Sequence, residues 1–328
     1  MSQLSYALTL FLSHVIQSLP FLLLGIIVSS GLLAFVDEHQ LVTKFPRNRI
    51  LGAIVGSSLG MILPVGQYGN VAVTRRLLLQ GVSPPVAISF LIASPTINPF
   101  VIAMSWTILG DHPRLLFLRI LGAWIIGITI GLIFSAYPNK PPKQREDLSN
   151  IAFYSSLLHS GTVLQACEIP QPLHRAGNLI YEYQSSAILL KGWPRRLSLF
   201  ADNLMREFLE LGSILVLGTA IATIIQVFLP QGQLLQWAQT PVTQVLVMSL
   251  FACVLSLGSL WTPYFITPLM STFLYGSNLA FLLLSSVVDL KSIALLLITL
   301  RPKVAIYLLI LTTQLILLLC LALNFYFT

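Results

Sequence analysis

Runs of roughly 20 mainly apolar residues recur along this chain, each long enough to cross a bilayer. A helix rises about 1.5 Å per residue and the hydrocarbon core is about 30 Å thick, which sets that length. Residues 115–134 and 304–327 are the plainest runs. Others cover 4–35, 84–109, 208–229, 242–257 and 278–300. Shorter apolar pieces broken by Gly and Pro lie at 50–82 and 258–276. The expected fold is an all-α integral membrane protein with roughly eight to ten transmembrane segments, some of them broken helices.

Composition excludes the soluble alternative. Charged residues make up 9% of the chain and hydrophobic ones 56%, whereas soluble domains carry about 25% charged residues. The net charge of +7 does not point to a nucleic-acid partner, because the basic residues concentrate in loops, as the positive-inside rule requires. The first run follows Met1-Ser2-Gln3 with no basic segment before it, so it reads as a retained span and not as a signal peptide. Cys167, Cys253 and Cys320 stand far apart with no CxxC pairing, so neither a disulfide framework nor a metal site is expected. No HExxH, GxSxG or Walker A motif is present, and no cofactor or enzymatic activity is expected.

The chain divides into a first membrane repeat at 1–136, a polar cytoplasmic linker at 137–204 and a second membrane repeat at 205–328. The linker is too short for a nucleotide-hydrolysing domain. Phe21-Leu22-Leu23-Leu24-Gly25 and Gly31 match Phe208-Leu209-Glu210-Leu211-Gly212 and Gly218. Phe90-Leu91, Ser94 and Asn98 align with Phe281-Leu282, Ser285 and Asp289. Internal duplication is common in secondary transporters. Placing every basic loop on the inside requires five crossings per half, counting the short pieces after Pro64 and Trp261, and hence inverted repeats; re-entrant short pieces are the alternative.

Three stretches could carry chemistry. At 63–77, glycines and Pro64 interrupt an apolar segment ahead of Arg75 and Arg76; unwound backbone at membrane depth survives only when buried in protein or lining a cavity. At Ser94-Pro95-Thr96-Ile97-Asn98-Pro99, each proline lacks an N–H and crowds the carbonyl four residues back, Leu91 for Pro95. The third stretch sets Asp289 and Lys291 inside an apolar helix, where each charge costs about 2.5–3.5 kcal/mol at the bilayer centre. Two positions apart, they are expected to point away from each other. The expected solute-binding residues are Gln67, Tyr68, Asn70, Arg75, Arg76, Ser94, Thr96 and Asn98, with Asp289 holding a coupling ion. Glu207 and Glu210 read as interfacial, and His14 and Gln17 as helix-to-helix hydrogen-bonding residues.

The run Pro64-Val65-Gly66-Gln67-Tyr68-Gly69-Asn70-Val71-Ala72-Val73-Thr74-Arg75-Arg76-Leu77, with Ser89 to Pro99 and Asp289-Leu290-Lys291, resembles the bacterial predicted-permease family that includes the organoarsenical exporters. That family commonly places a cysteine pair where Gly66 and Tyr68 stand here, flanking Gln67. A thiolate pair suits a soft metalloid, so the resemblance carries over the fold and not the substrate. It implies a multi-pass permease of the bacterial inner membrane that moves a small solute or ion by alternating access. The competing class is a non-transporting membrane scaffold or assembly factor that docks others through its linker.

Overall fold

Proline, glycine and a few polar caps decide where the apolar runs stop. The computed structural model describes residues 3–36, 38–46, 48–136, 158, 193–229 and 236–327. Most of the expected linker therefore lies outside the described residues. Its last part does not: the helix that contains the apolar run at 208–229 already begins at Trp193.

In the first half, α1 (Gln3–Phe35) is followed by the short α2 (Glu38–Lys44), α3 (Arg49–Ser58), α4 (Gly66–Leu79), α5 (Pro84–Ala93), α6 (Pro99–Leu109) and α7 (Pro113–Ser135). The second half holds α8 (Trp193–Phe228), α9 (Pro241–Leu255), α10 (Thr262–Ile266), α11 (Tyr275–Val287), α12 (Leu290–Thr299) and α13 (Pro302–Phe327). Among the described residues every regular element is helical, apart from one isolated bridge between Leu158 and Leu300. The all-α membrane class is met: among the described residues five helical stretches are long and apolar enough to cross a bilayer, with shorter apolar helices beside them.

The halves repeat one order of elements. A long helix comes first (α1, α8), then a half-length helix (α3, α9) leading to a turn with a left-handed glycine, Gly66 at φ +71° or Gly258 at φ +77°. Glycine adopts that conformation without steric penalty, which is why the chain can reverse there. A broken span (α5–α6, α11–α12) and a final long helix (α7, α13) complete each half. The starts of α3 and α9 also correspond: Asn48 accepts from the Ile50 N–H at 3.0 Å, and Thr240 forms a reciprocal cap with Thr243.

The segments at 50–82 and 258–276, expected as extra crossings, are built from short helices. The α4 helix has 14 residues, a length of about 21 Å, short of the roughly 30 Å hydrocarbon core. Packing brings the halves together along α1 and α8, and α1 also lies against α4. Within each half the broken span sits between its neighbours, α5 between α3 and α7, α11 between α9 and α13. The leading halves of the two broken spans, α5 and α11, are consequently among the most buried of the described helices.

Candidate functional site

Each broken span leaves carbonyls without their helical partners, and a single helix supplies a replacement donor at each break. The Leu91 carbonyl would ordinarily accept from residue 95, but Pro95 has no N–H to give. The Asn70 side chain donates to it instead, Nδ2 to O at 2.7 Å. In the second half the last helical bond of α11 runs from the Val288 N–H to the Leu284 carbonyl. Asp289 is extended, at φ −129° and ψ 165°, so Ser285 loses its partner too. Gln67 Nε2 donates to that carbonyl at 2.9 Å. Gln67 and Asn70 are three positions apart on α4, on one helical face. One turn of α4 thus terminates both broken helices.

The following half-helices start in matching ways. Asn98 Oδ1 accepts from the Phe100 N–H at 3.0 Å and caps α6. Asp289 Oδ1 accepts from the Ser292 N–H at 2.7 Å and caps α12. A side-chain oxygen at the N-cap satisfies one of the orphan donors of a helix start, and a carboxylate there also meets the positive end of the helix dipole. The alignment of Asn98 with Asp289 in the sequence therefore marks equivalent structural positions.

Asp289 does not sit within a helix, which changes its relation to Lys291. Its Oδ2 accepts from the Tyr68 hydroxyl at 2.8 Å. The Lys291 ammonium lies 5.0 Å from the centre of the same tyrosine ring, within cation–π range, and donates to Ser18 Oγ at 3.1 Å. The two charges, expected to diverge, converge on Tyr68 because the helix is broken between them. Asp289 is 0% exposed and Lys291 1%.

The tip of the second hairpin closes over this cluster. The Ser259 N–H donates to Gln67 Oε1 at 2.8 Å. Ser256, in the left-handed region at φ 46°, places its hydroxyl to accept from the Leu290 N–H at 3.3 Å. A cleft lined by Gln17, Ser18, Gln67, Tyr68, Ser259 and Trp261, among others, runs between the tips. It has room for about one or two water molecules. His14 and Gln226, 2.9 Å apart, tie α1 to α8 beside it, whereas Gln17 bonds only Ser13 on its own helix, at 3.2 Å.

Arg75 and Arg76 are placed differently from the other expected site residues. Arg76 Nη2 meets Glu207 Oε1 at 2.6 Å and Asn203 Oδ1 at 2.9 Å. Arg75 Nη1 meets Glu210 Oε2 at 3.1 Å. Glu207 and Glu210, expected at an interface, are buried partners that hold α4 to α8. Of the remaining expected residues, Ser94 Oγ, Thr96 Oγ1, Asn98 Nδ2 and Asn70 Oδ1 are buried without a hydrogen-bond partner among the described residues.

Sequence reasoning missed Arg119. It lies in the apolar run at 115–134, and a charge inside a span is itself a signal of function. Ser18, Ser256 and Ser259 carried no such signal, since isolated serines are common in membrane helices and turns.

Comparison with known proteins finds similarity along most of the chain. The UPF0718 protein YcgR of Bacillus subtilis is 28% identical over 295 residues, covering 90% of this chain and 89% of its own. A putative two-component membrane permease complex subunit of Streptococcus mutans is 27% identical over 292 residues, covering 89% and 86%. No solved structure matches the chain. The family model ArsP_1, described as a predicted permease, matches residues 3–325. With its apolar helices, this multi-pass membrane protein belongs to that predicted-permease family.

Proposed function

We propose that this chain is an inner-membrane permease that moves a small solute by alternating access between two inverted repeats. The exchange centres on the hairpin tips at Gly66 and Gly258 and on the breaks at 94–98 and 288–289. The observation that carries the reading is the wholly buried Asp289. It caps one half-helix and accepts from a tyrosine on the opposite half, whose ring also carries the buried Lys291 ammonium. Intramembrane ionisable clusters at discontinuous helices are the usual place for coupled transport.

In this mechanism Asp289 holds the coupling proton or cation, and Tyr68 and Lys291 adjust to its charge. Protonating Asp289 removes the charged acceptor that Tyr68 donates to and releases Lys291 from its counter-ion. That weakens the contact between α4 and α12. The solute binds by hydrogen bonds to Gln67, Tyr68, Asn70, Ser94, Thr96 and Asn98. Arg75 and Arg76 clamp the first hairpin to α8 and do not touch the solute. A glycine and a phenol at the positions of the family's cysteine pair, with the Gln67 carboxamide between them, favour oxygen-bearing solutes over soft metalloids.

The test is flux into proteoliposomes across a panel of small solutes, driven by an imposed pH gradient. Gradient-driven uptake in the wild type that vanishes in Asp289→Asn supports the mechanism. Equal uptake in both proteins removes Asp289 from the coupling step.

The name of the Streptococcus mutans relative favours a second reading, in which the chain is one subunit of a membrane complex. Co-purification of a stoichiometric second polypeptide at native expression level is the expected result. Its absence after crosslinking in membranes rejects that reading.

A further inference from the structure

We infer that Arg119 is an anion-binding residue, and that the permeant solute is a small anion, inorganic or carboxylate. The inference deepens the permease reading and rests on it. Arg119 is in the first third of α7 and is 1% exposed. Its guanidinium reaches three other elements. It donates to Ser105 Oγ on α6 at 2.7 Å. It also donates to the Ser259 carbonyl at 2.7 Å, to Thr262 Oγ1 on α10 at 3.3 Å and to Ser286 Oγ on α11 at 3.4 Å. Its Nε has no partner among the described residues.

Every one of those acceptors is neutral. Among the described residues, Arg76 pairs with Glu207 and the part-buried Arg75 with Glu210, while Lys291 shares the Tyr68 side chain with Asp289. Among the described residues Arg119 has no carboxylate within ion-pair distance. A permanently charged guanidinium buried without a counter-ion is strongly disfavoured. A cage of hydroxyls supplies hydrogen bonds but no compensating charge, and the same hydroxyls can donate to an anion. An anion would supply the missing charge, and the planar donor fork matches carboxylates and oxyanions.

The cage also explains how such a solute would be admitted. Ser259 and Thr262 belong to the second hairpin, so displacing that tip strips Arg119 of half its acceptors and opens it to a replacement. The Ser259 residue links the two sites directly: its carbonyl faces Arg119 while its N–H faces Gln67, which in turn holds the end of α11. Anion entry at Arg119 is thereby linked to the break that Asp289 caps.

The test is the thermal unfolding midpoint of the purified full-length protein titrated with nitrate, formate, phosphate or sulfate, against gluconate at matched ionic strength. At least one small anion is expected to raise the wild-type midpoint saturably. Arg119→Gln should lose that response and Asp289→Asn should keep it. Should Arg119→Gln fail to fold, Arg119→Lys decides: the lost donor fork is expected to weaken the apparent affinity at least about tenfold. A wild type indifferent to all four anions overturns the inference, as does unchanged affinity in Arg119→Lys. The two readings fail separately. Anion binding through Arg119 without any flux in proteoliposomes rejects the permease, whereas flux confined to uncharged solutes rejects the anion.

Discussion

The Tyr68 hydroxyl donates to Asp289 Oδ2 at 2.8 Å, joining residues 221 positions apart. It connects the first turn of the first hairpin helix to the break in the second half's span. The same ring carries the Lys291 ammonium on its face. One side chain therefore contacts both members of a buried charge pair, and removing only its oxygen separates the two contacts.

Tyr68→Phe keeps the ring under Lys291 and deletes the hydrogen bond. A bond to a charged group contributes about 1.5–3 kcal/mol, so the expected loss in unfolding free energy lies in that range. Chemical denaturation in detergent measures it. An unchanged midpoint means that the phenol and the carboxylate are not paired in the membrane protein.

Asp289→Asn and Asp289→Ala separate capping from charge. Asn is as good an N-cap as Asp, whereas Ala loses the cap at about 1 kcal/mol. Both variants should abolish gradient-driven uptake, but only the Ala variant also loses its cap. Hydrogen exchange at Ser292, whose N–H the cap accepts, should rise more in Asp289→Ala than in Asp289→Asn. Equal exchange in both would show that the carboxylate's capping bond is dispensable.

The ion pair of Arg76 with Glu207 is nearly inaccessible, with side-chain exposures of 6% and 8%. Glu207→Gln leaves a buried guanidinium without its counter-charge, at an expected cost of about 3–5 kcal/mol. Replacing both residues by methionine should recover most of the loss, since a packed apolar pair removes the stranded charge. A double-mutant cycle on thermal stability reads the coupling. Additive single effects would place the two charges apart.

The α1–α4 contact depends on two glycines meeting backbone to backbone. A Cβ at Gly25 would lie 2.1 Å from the Gly69 Cα, while one at Gly31 on the same helix meets nothing within 4 Å. Gly25→Ala should destabilise by at least about 1–3 kcal/mol through overpacking. Gly31→Ala should be neutral or slightly stabilising, because alanine is the better helix former. Paired melting curves check both, and a tolerated Gly25→Ala contradicts this packing.

The sequence by itself determined the helical membrane class and the break at 94–99. Both follow from local physics. Apolar length sets which runs can span, Pro95 removes a donor wherever the chain goes, and Asn98 and Asp289 are good caps in any fold. The repeat aligned Asn98 with Asp289, but Asp289 was expected inside a helix, and the break that it caps emerges only from the structure. The interrupted apolar pattern singled out the stretch at 64–77, without showing that Gln67 and Asn70 hold the carbonyls at the two breaks. Arg119 was visible as a charge in an apolar run, but its neutral surroundings were not.

Only the tertiary structure decided which polar groups meet. Gln67 reaches Ser259 across 192 positions and Lys291 reaches Ser18 across 273. No periodicity encodes such pairings, because they depend on which helices pack together and in what rotation. The same holds for charge. Arg75, Arg76 and Arg119 are alike in the sequence as basic residues near or within apolar segments, yet two are neutralised by carboxylates on α8 and the third is surrounded by hydroxyls. That difference comes from the packing of α4 against α8 and of α7 against the second hairpin, where burial makes each missing counter-charge costly.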